Sequence, residues 1–146
     1  MKRPLFFLLV LIVTFFTQCE TLQTLPTNTS GGLFSLNGSW SLSSNSDNSS
    51  MVGTIVQVIP GVSTGTVRSI GNNNYCLRER DAMWRGLNAR TGGGFNLELL
   101  VGACNGNTTY KPATVTSISN DEIRITSETT DGKELTQVYR RTAVTD

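Results

Sequence analysis

The side chains that could carry chemistry are few. Of 146 residues three are cysteines and none is histidine. Without imidazole the commonest general base and the commonest metal ligand are both missing. That removes Ser-His-Asp and Cys-His nucleophilic constellations and every histidine-containing zinc site. The thiols, Cys19, Cys76 and Cys104, are one short of a four-cysteine zinc site. Neighbouring carboxylates remain, Glu79 with Asp81 and Asp121 with Glu122, and paired carboxylates can run glycoside hydrolysis without histidine. Both pairs stand in polar stretches, where the raised pKa of a general acid is hard to arrange, so they read as solvated turn residues. Gly92-Gly93-Gly94 lacks the Lys-Ser/Thr of a phosphate loop and leads into a strand pattern, so it reads as hairpin glycine. No enzyme active site, metal or cofactor is expected.

The thiols point instead to the compartment. Lys2 and Arg3 form a basic start, and Leu5 to Phe16 is an apolar run broken only by Thr14. As a helix, twelve residues span roughly 18 Å, short of the roughly 30 Å bilayer core. Residues 1–18 therefore read as a signal peptide rather than a membrane anchor; a buried helix would show a polar face, and this run has none. In an exported chain Cys76 and Cys104 are expected to pair, the alternative being two inert free thiols. A bridge would close a loop of about 28 residues, worth roughly 3–4 kcal/mol on the chain-entropy account. Taking Lys2 and Arg3 from the 12 basic residues leaves 10 against 11 acidic ones, a formal charge of −1. A near-neutral chain argues against a nucleic-acid partner, which would need a basic stripe. Arg78, Arg80 and Arg85 cluster, and read as a solvated face.

The elements around these residues are strands. Residues 19–33, rich in Thr, Asn, Ser and Gly, show no amphipathic period and read as a flexible tether of roughly 20 Å reach. From residue 34 the pattern is strand, turn, strand. Leu36, Trp40 and Leu42 share one parity. Met51 to Ile59 ends at Pro60-Gly61, and Thr64 to Ile70 ends at a run of Gly and Asn. Phe95, Leu97, Leu99 and Val101 alternate with polar neighbours. Ala113 to Ile118, Ile123 with Ile125, and Leu135 to Arg141 form a meander whose last hairpin turns at Asp131-Gly132. Tyr75 to Arg90 suits either two short strands or a helical turn. Turns about every ten residues indicate an all-β sandwich or barrel of six to eight strands, with Leu42, Val56, Val58, Phe95, Leu97, Leu99, Ile123, Ile125 and Tyr139 expected inside.

Two resemblances stand beside this reading. Phe16-Thr17-Gln18-Cys19 resembles the lipobox of bacterial lipoproteins, though Gln18 replaces the usual small residue and Phe16 the usual Leu. The resemblance implies acylation of Cys19 and a lipid anchor on a bacterial envelope membrane; ordinary cleavage, giving a secreted or periplasmic protein, is the alternative. Leu36-Asn37-Gly38-Ser39-Trp40-Ser41-Leu42 resembles the opening Gly-x-Trp strand of lipocalin-like domains. Ile118 to Ile123, Asp131-Gly132 and Val138-Tyr139-Arg140-Arg141 resemble the closing hairpin of small lipocalin-like lipoproteins of Bacteroidetes-type bacteria. The resemblance covers roughly residues 34–43 and 113–141 and implies an antiparallel up-and-down barrel of about eight strands. It further implies that Trp40 plugs the narrow end, with Arg140 or Arg141 stacked on it.

Two roles follow as expectations. One is a barrel holding a small apolar ligand, with Tyr75, Met83 and Trp84 at its mouth. The other is a protein-interaction module of the protease- or lysozyme-inhibitor kind, with function in loops such as 75–94; a purely structural envelope protein is a third.

Overall fold

The computed structural model describes residues 34–71 and 76–143, with Asn105 described by its backbone alone. The expected signal peptide, the tether, Cys19 and Tyr75 lie outside the described residues. Eight strands close into one barrel: β1 (Gly38–Asn45), β2 (Ile55–Val58), β3 (Gly65–Ser69), β4 (Ala82–Ala89), β5 (Phe95–Gly102), β6 (Thr109–Ser119), β7 (Glu122–Glu128) and β8 (Glu134–Thr142). Each pairs antiparallel with the next, and β8 returns to β1 with Trp40 opposite Arg141 and Leu42 opposite Tyr139. The closed antiparallel eight-stranded barrel is thus present as expected, and it is one of the two architectures that the turn spacing alone left open. No helix among the described residues is long and apolar enough to cross a membrane.

Alternation explains which face is inside. On β8, Leu135, Gln137 and Tyr139 are buried; on β7, Ile123 and Ile125 are buried while Arg124 is exposed. Period-2 burial on neighbouring strands gives one continuous apolar lining. An eight-stranded barrel is just wide enough for side chains to fill, and here they do. Trp40, Trp84, Tyr139, Leu42, Leu99, Ile123, Ile125, Gln137, Val56, Val67 and Val115 are all fully buried. Of the residues expected inside, only Phe95 is half-buried.

Four boundaries differ from expectation. Met51 does not begin a strand: Asn48 caps a short 3-10 turn, Ser49–Met51, by accepting from the Ser50 N–H, and pairing resumes at Ile55. Leu36 lies before β1 but is still buried. The uncertain segment supplies one strand, β4, and no helix; Arg80 has φ 74°, which breaks any helical run before Ala82. Finally, β6 begins at Thr109 and carries Pro112 within the sheet. The Pro112 carbonyl accepts from Ser127 Oγ at 2.8 Å, and the β7 ladder starts only at Thr114 opposite Thr126. The missing proline N–H therefore falls where no backbone partner is required.

The strand directions define two ends. The chain enters at one end with residues 34–37, beside the β2–β3, β4–β5 and β6–β7 connections. The β1–β2, β3–β4, β5–β6 and β7–β8 connections gather at the other.

Candidate functional site

The entrance end is sealed by residues 34–37. Phe34 packs on Trp40 and Phe95, with ring centres 6.1 and 6.3 Å away. The Trp40 indole N–H donates to the Leu36 carbonyl at 2.7 Å, which satisfies a donor that burial would otherwise strand. Arg141 locks the seal: its guanidinium sits 4.3 Å from the Trp40 ring centre and donates to the carbonyls of Asn37 (2.7 Å) and Ser35 (3.0 Å). Arg140 points the other way, in an exposed pair with Glu122 at 2.9 Å. Of the two arginines expected over Trp40, Arg141 is therefore the one that stacks.

The barrel centre is polar in a limited way. The Tyr139 hydroxyl donates to Gln137 Oε1 at 2.8 Å, both groups being buried. The Trp84 ring meets Tyr139 edge-on at 5.0 Å. Its indole N–H lowers the Tyr139 pKa, although it makes no hydrogen bond within ordinary geometric limits. Burial, the larger effect, pushes the Tyr139 pKa well above its ordinary value. Trp84 fits because β3 offers Gly65 beneath it: a Cβ there would stand 2.6 Å from the Trp84 ring.

Met83 and Trp84, expected as mouth residues, are corrected by this placement: both are fully buried. Trp84 faces inward opposite Leu99. Met83, the next residue along the strand, faces outward, as does Leu100. The outer wall covers that side with Tyr110, which stands opposite Leu100 on β6 and whose hydroxyl reaches the Ala82 carbonyl on β4 at 2.7 Å. Its ring therefore crosses β5. Arg85 stacks on that ring at 3.8 Å, so it is not simply solvated. Burial raises the Tyr110 pKa; Arg85 opposes the rise, while Asp81 and Glu98 add to it.

Beside this cover lies the disulfide. Cys76 and Cys104 are bonded, with Cα atoms 5.1 Å apart, so the β3–β4 loop is tied to the β5–β6 loop. Between the tied loops is an open depression of about 530 Å³ lined by Cys76, Leu77, Arg78, Asp81, Ala103, Gly106 and Thr108. Its floor is ordered locally: the Arg78 N–H donates to Asp81 Oδ2 at 2.8 Å and the Asp81 N–H to the Arg78 carbonyl at 3.1 Å. A second depression, of about 430 Å³, runs along Lys111, Pro112 and the facing residues of β7 and β8. Neither is lined by the ring of any aromatic residue of the interior.

Comparison with protein-family models, curated proteins and solved structures gives no match. The site must be read from its own residues. No group of three or more acidic or cysteine side chains among the described residues could hold a metal ion. The depression offers apolar surface, one arginine and one carboxylate. Sequence reasoning did not single out Phe34, Tyr110, Gln137 or Gly65. Phe34-x-Leu36 just before Gly38-x-Trp40 was a usable signal for the seal; nothing local marked Tyr110 as a cover.

Proposed function

We propose that the protein is a non-catalytic, lipocalin-like lipoprotein of a bacterial envelope, anchored through Cys19, that binds a partner macromolecule at its disulfide-tied loops. The observation that carries this choice between the two expected roles is the filled interior. Trp40, Trp84 and Tyr139 occupy the space in which an apolar ligand would lie, and a ligand site of the usual kind needs about 300 Å³ or more. The far end keeps an open depression beside a covalent tie that holds two loops in a fixed relation. Pre-ordering of that kind lowers the entropic cost of association.

The test has two arms. Titration of the protein with fatty acids and phospholipids is expected to leave the emission of Trp40 and Trp84 unchanged; a saturable change would return the apolar-ligand role. Envelope proteins captured on the wild-type chain are expected to be lost on a Cys76→Ala/Cys104→Ala variant whose barrel remains folded by circular dichroism. Equal capture by both would remove the tied loops from the role.

A further inference from the structure

The β2–β3 connection, residues 59–64, ends in an apolar corner. Ile59 and Val62 are 53% and 49% exposed. They flank Pro60-Gly61, where the Val62 N–H donates to the Ile59 carbonyl at 3.1 Å and Gly61 takes φ 80°. Proline at the second turn position and glycine in the left-handed region at the third make this a preset turn, so the two apolar side chains are held outward rather than folded over the barrel. No charged residue stands between Asp47 and Arg68.

Singly exposed apolar residues are ordinary. These are not randomly placed. Of the four large exposed hydrophobic residues among the described residues, Val52, Ile59, Val62 and Ile118, three lie at the end where the chain enters. Val58, just before Ile59, pairs with Gly38, the residue that follows the sealing segment. Ile118 sits at the bulge before the β6–β7 turn, on the opposite side of the same rim. Arg78, Glu79, Arg80, Asp81, Asp131 and Lys133 belong to the other end, while the entrance rim carries Arg90 on the β4–β5 connection and Asp121, paired with Arg141, on the β6–β7 turn. The fourteen residues between Cys19 and Phe34 reach at most about 50 Å when extended and roughly 20 Å as a coil, and they join the barrel at the apolar rim.

We propose that the Ile59–Val62 corner is a second membrane contact, inserting into the bilayer that Cys19 anchors to and turning the disulfide-tied loops away from it. The proposal rests on the lipid-anchor reading above. A single lipid attachment leaves a protein free to tumble on its tether; an apolar corner set into the headgroup boundary fixes which end faces outward.

The experiment uses the full chain, processed in bacterial cells and reconstituted in phosphatidylcholine–phosphatidylethanolamine vesicles, some with brominated acyl chains. Tryptophan is introduced singly as Val62→Trp, Ile59→Trp or, at the far end, Val52→Trp. The emission added by Val62→Trp or Ile59→Trp is expected to fall by about half or more in brominated vesicles, because side chains set about 5–10 Å into the interface lie within reach of the quencher. The emission added by Val52→Trp is expected to be unaffected. If the protein floats with the vesicles but neither corner position is quenched, the corner proposal is overturned while the anchor stands. If the wild type does not float and Cys19 takes up no labelled fatty acid, the anchor reading fails and the corner proposal falls with it.

Discussion

Arg141 and Trp40 face each other across the β8–β1 seam, with the guanidinium 4.3 Å from the ring centre and two of its nitrogens bonded to the carbonyls of Asn37 and Ser35. One side chain thus closes the barrel, covers its plug and ties down the segment that seals it. A stacked cation contributes about 0.5–2 kcal/mol, and hydrogen bonds from a charged donor about 1.5–3. Allowing for partial solvent access, Arg141→Ala is expected to lower unfolding free energy in urea by about 2–3 kcal/mol and to shift Trp40 emission to the red. Arg141→Lys should recover little, since it loses the planar fork. Arg140→Ala removes only an exposed pair, worth about 0–1 kcal/mol, and a loss as large as that of Arg141→Ala would mean the two arginines are misassigned.

Much of this was legible from residue order. Alternation around Phe95–Val101, Ile123–Ile125 and Leu135–Arg141 marked the inner face because burial in a barrel enforces period 2. The turn residues placed most connections. What stayed hidden depends on contacts between distant strands. Met83 and Trp84 are adjacent, so alternation points one inside and one outside, and the outer one is buried on a side of the wall that the Tyr110 side chain, reaching from β6 to Ala82, also covers. Gly65 reads as a strand-weakening residue until Trp84 is seen over it. Choosing between Arg140 and Arg141 required the register of β8 against β1.

Gly65→Ala tests how tightly that interior is filled. The new methyl would stand 2.6 Å from Trp84 Cε3 and 2.9 Å from Val56 Cγ1, and both neighbours are fully buried. Overpacking of this kind typically costs about 1–3 kcal/mol. Thermal unfolding should show the loss, with altered near-ultraviolet dichroism from a displaced Trp84. An unchanged midpoint would show that the interior has slack.

Cutting the tie between the loops should weaken the barrel without abolishing it. The Cys76–Cys104 bond spans 28 residues, for which loop-closure entropy gives about 3–4 kcal/mol. Urea unfolding with and without reductant is expected to differ by that order. A difference near zero would mean that the β4–β5 segment already restrains the loop in the unfolded chain.

Alkaline pH should destabilise the fold through Tyr139. Its pKa is raised by burial above the ordinary value near 10, so the folded state keeps a proton that the unfolded state gives up. The stability involved is intact below the unfolded pKa and is lost as pH climbs above it towards the folded one, at about 1.4 kcal/mol per pH unit. Unfolding free energy is thus expected to be insensitive to this group between pH 6 and 9, and to drop above about pH 10. Tyr139→Phe should flatten the alkaline slope. If the slope persists unchanged in that variant, the half-buried Tyr110 hydroxyl, also raised by burial, is the group responsible.

If side chains alone keep apolar molecules out of the barrel, removing the right one should let them in. Trp84 is the candidate: it is fully buried, lies over Gly65, meets Tyr139 edge-on, and carries a buried indole N–H with no hydrogen-bond partner. Losing that N–H costs no hydrogen bond, so the penalty of Trp84→Ala comes from lost packing and the space left behind, about 3–5 kcal/mol. Val56 and Leu99 beside it are apolar, the Tyr139 hydroxyl is already bonded to Gln137, and a largely apolar void can stay dry and take up a small hydrophobic molecule. The folded variant is expected to bind benzene-sized compounds or xenon, seen as a ligand-dependent rise in unfolding temperature, while the wild type shows none. Equal behaviour of the two proteins would mean either that the walls collapse onto the vacated volume or that the wild-type interior already admits such molecules; a rise in both would revive the apolar-ligand role, and a rise in neither would place the barrier in the walls rather than in Trp84.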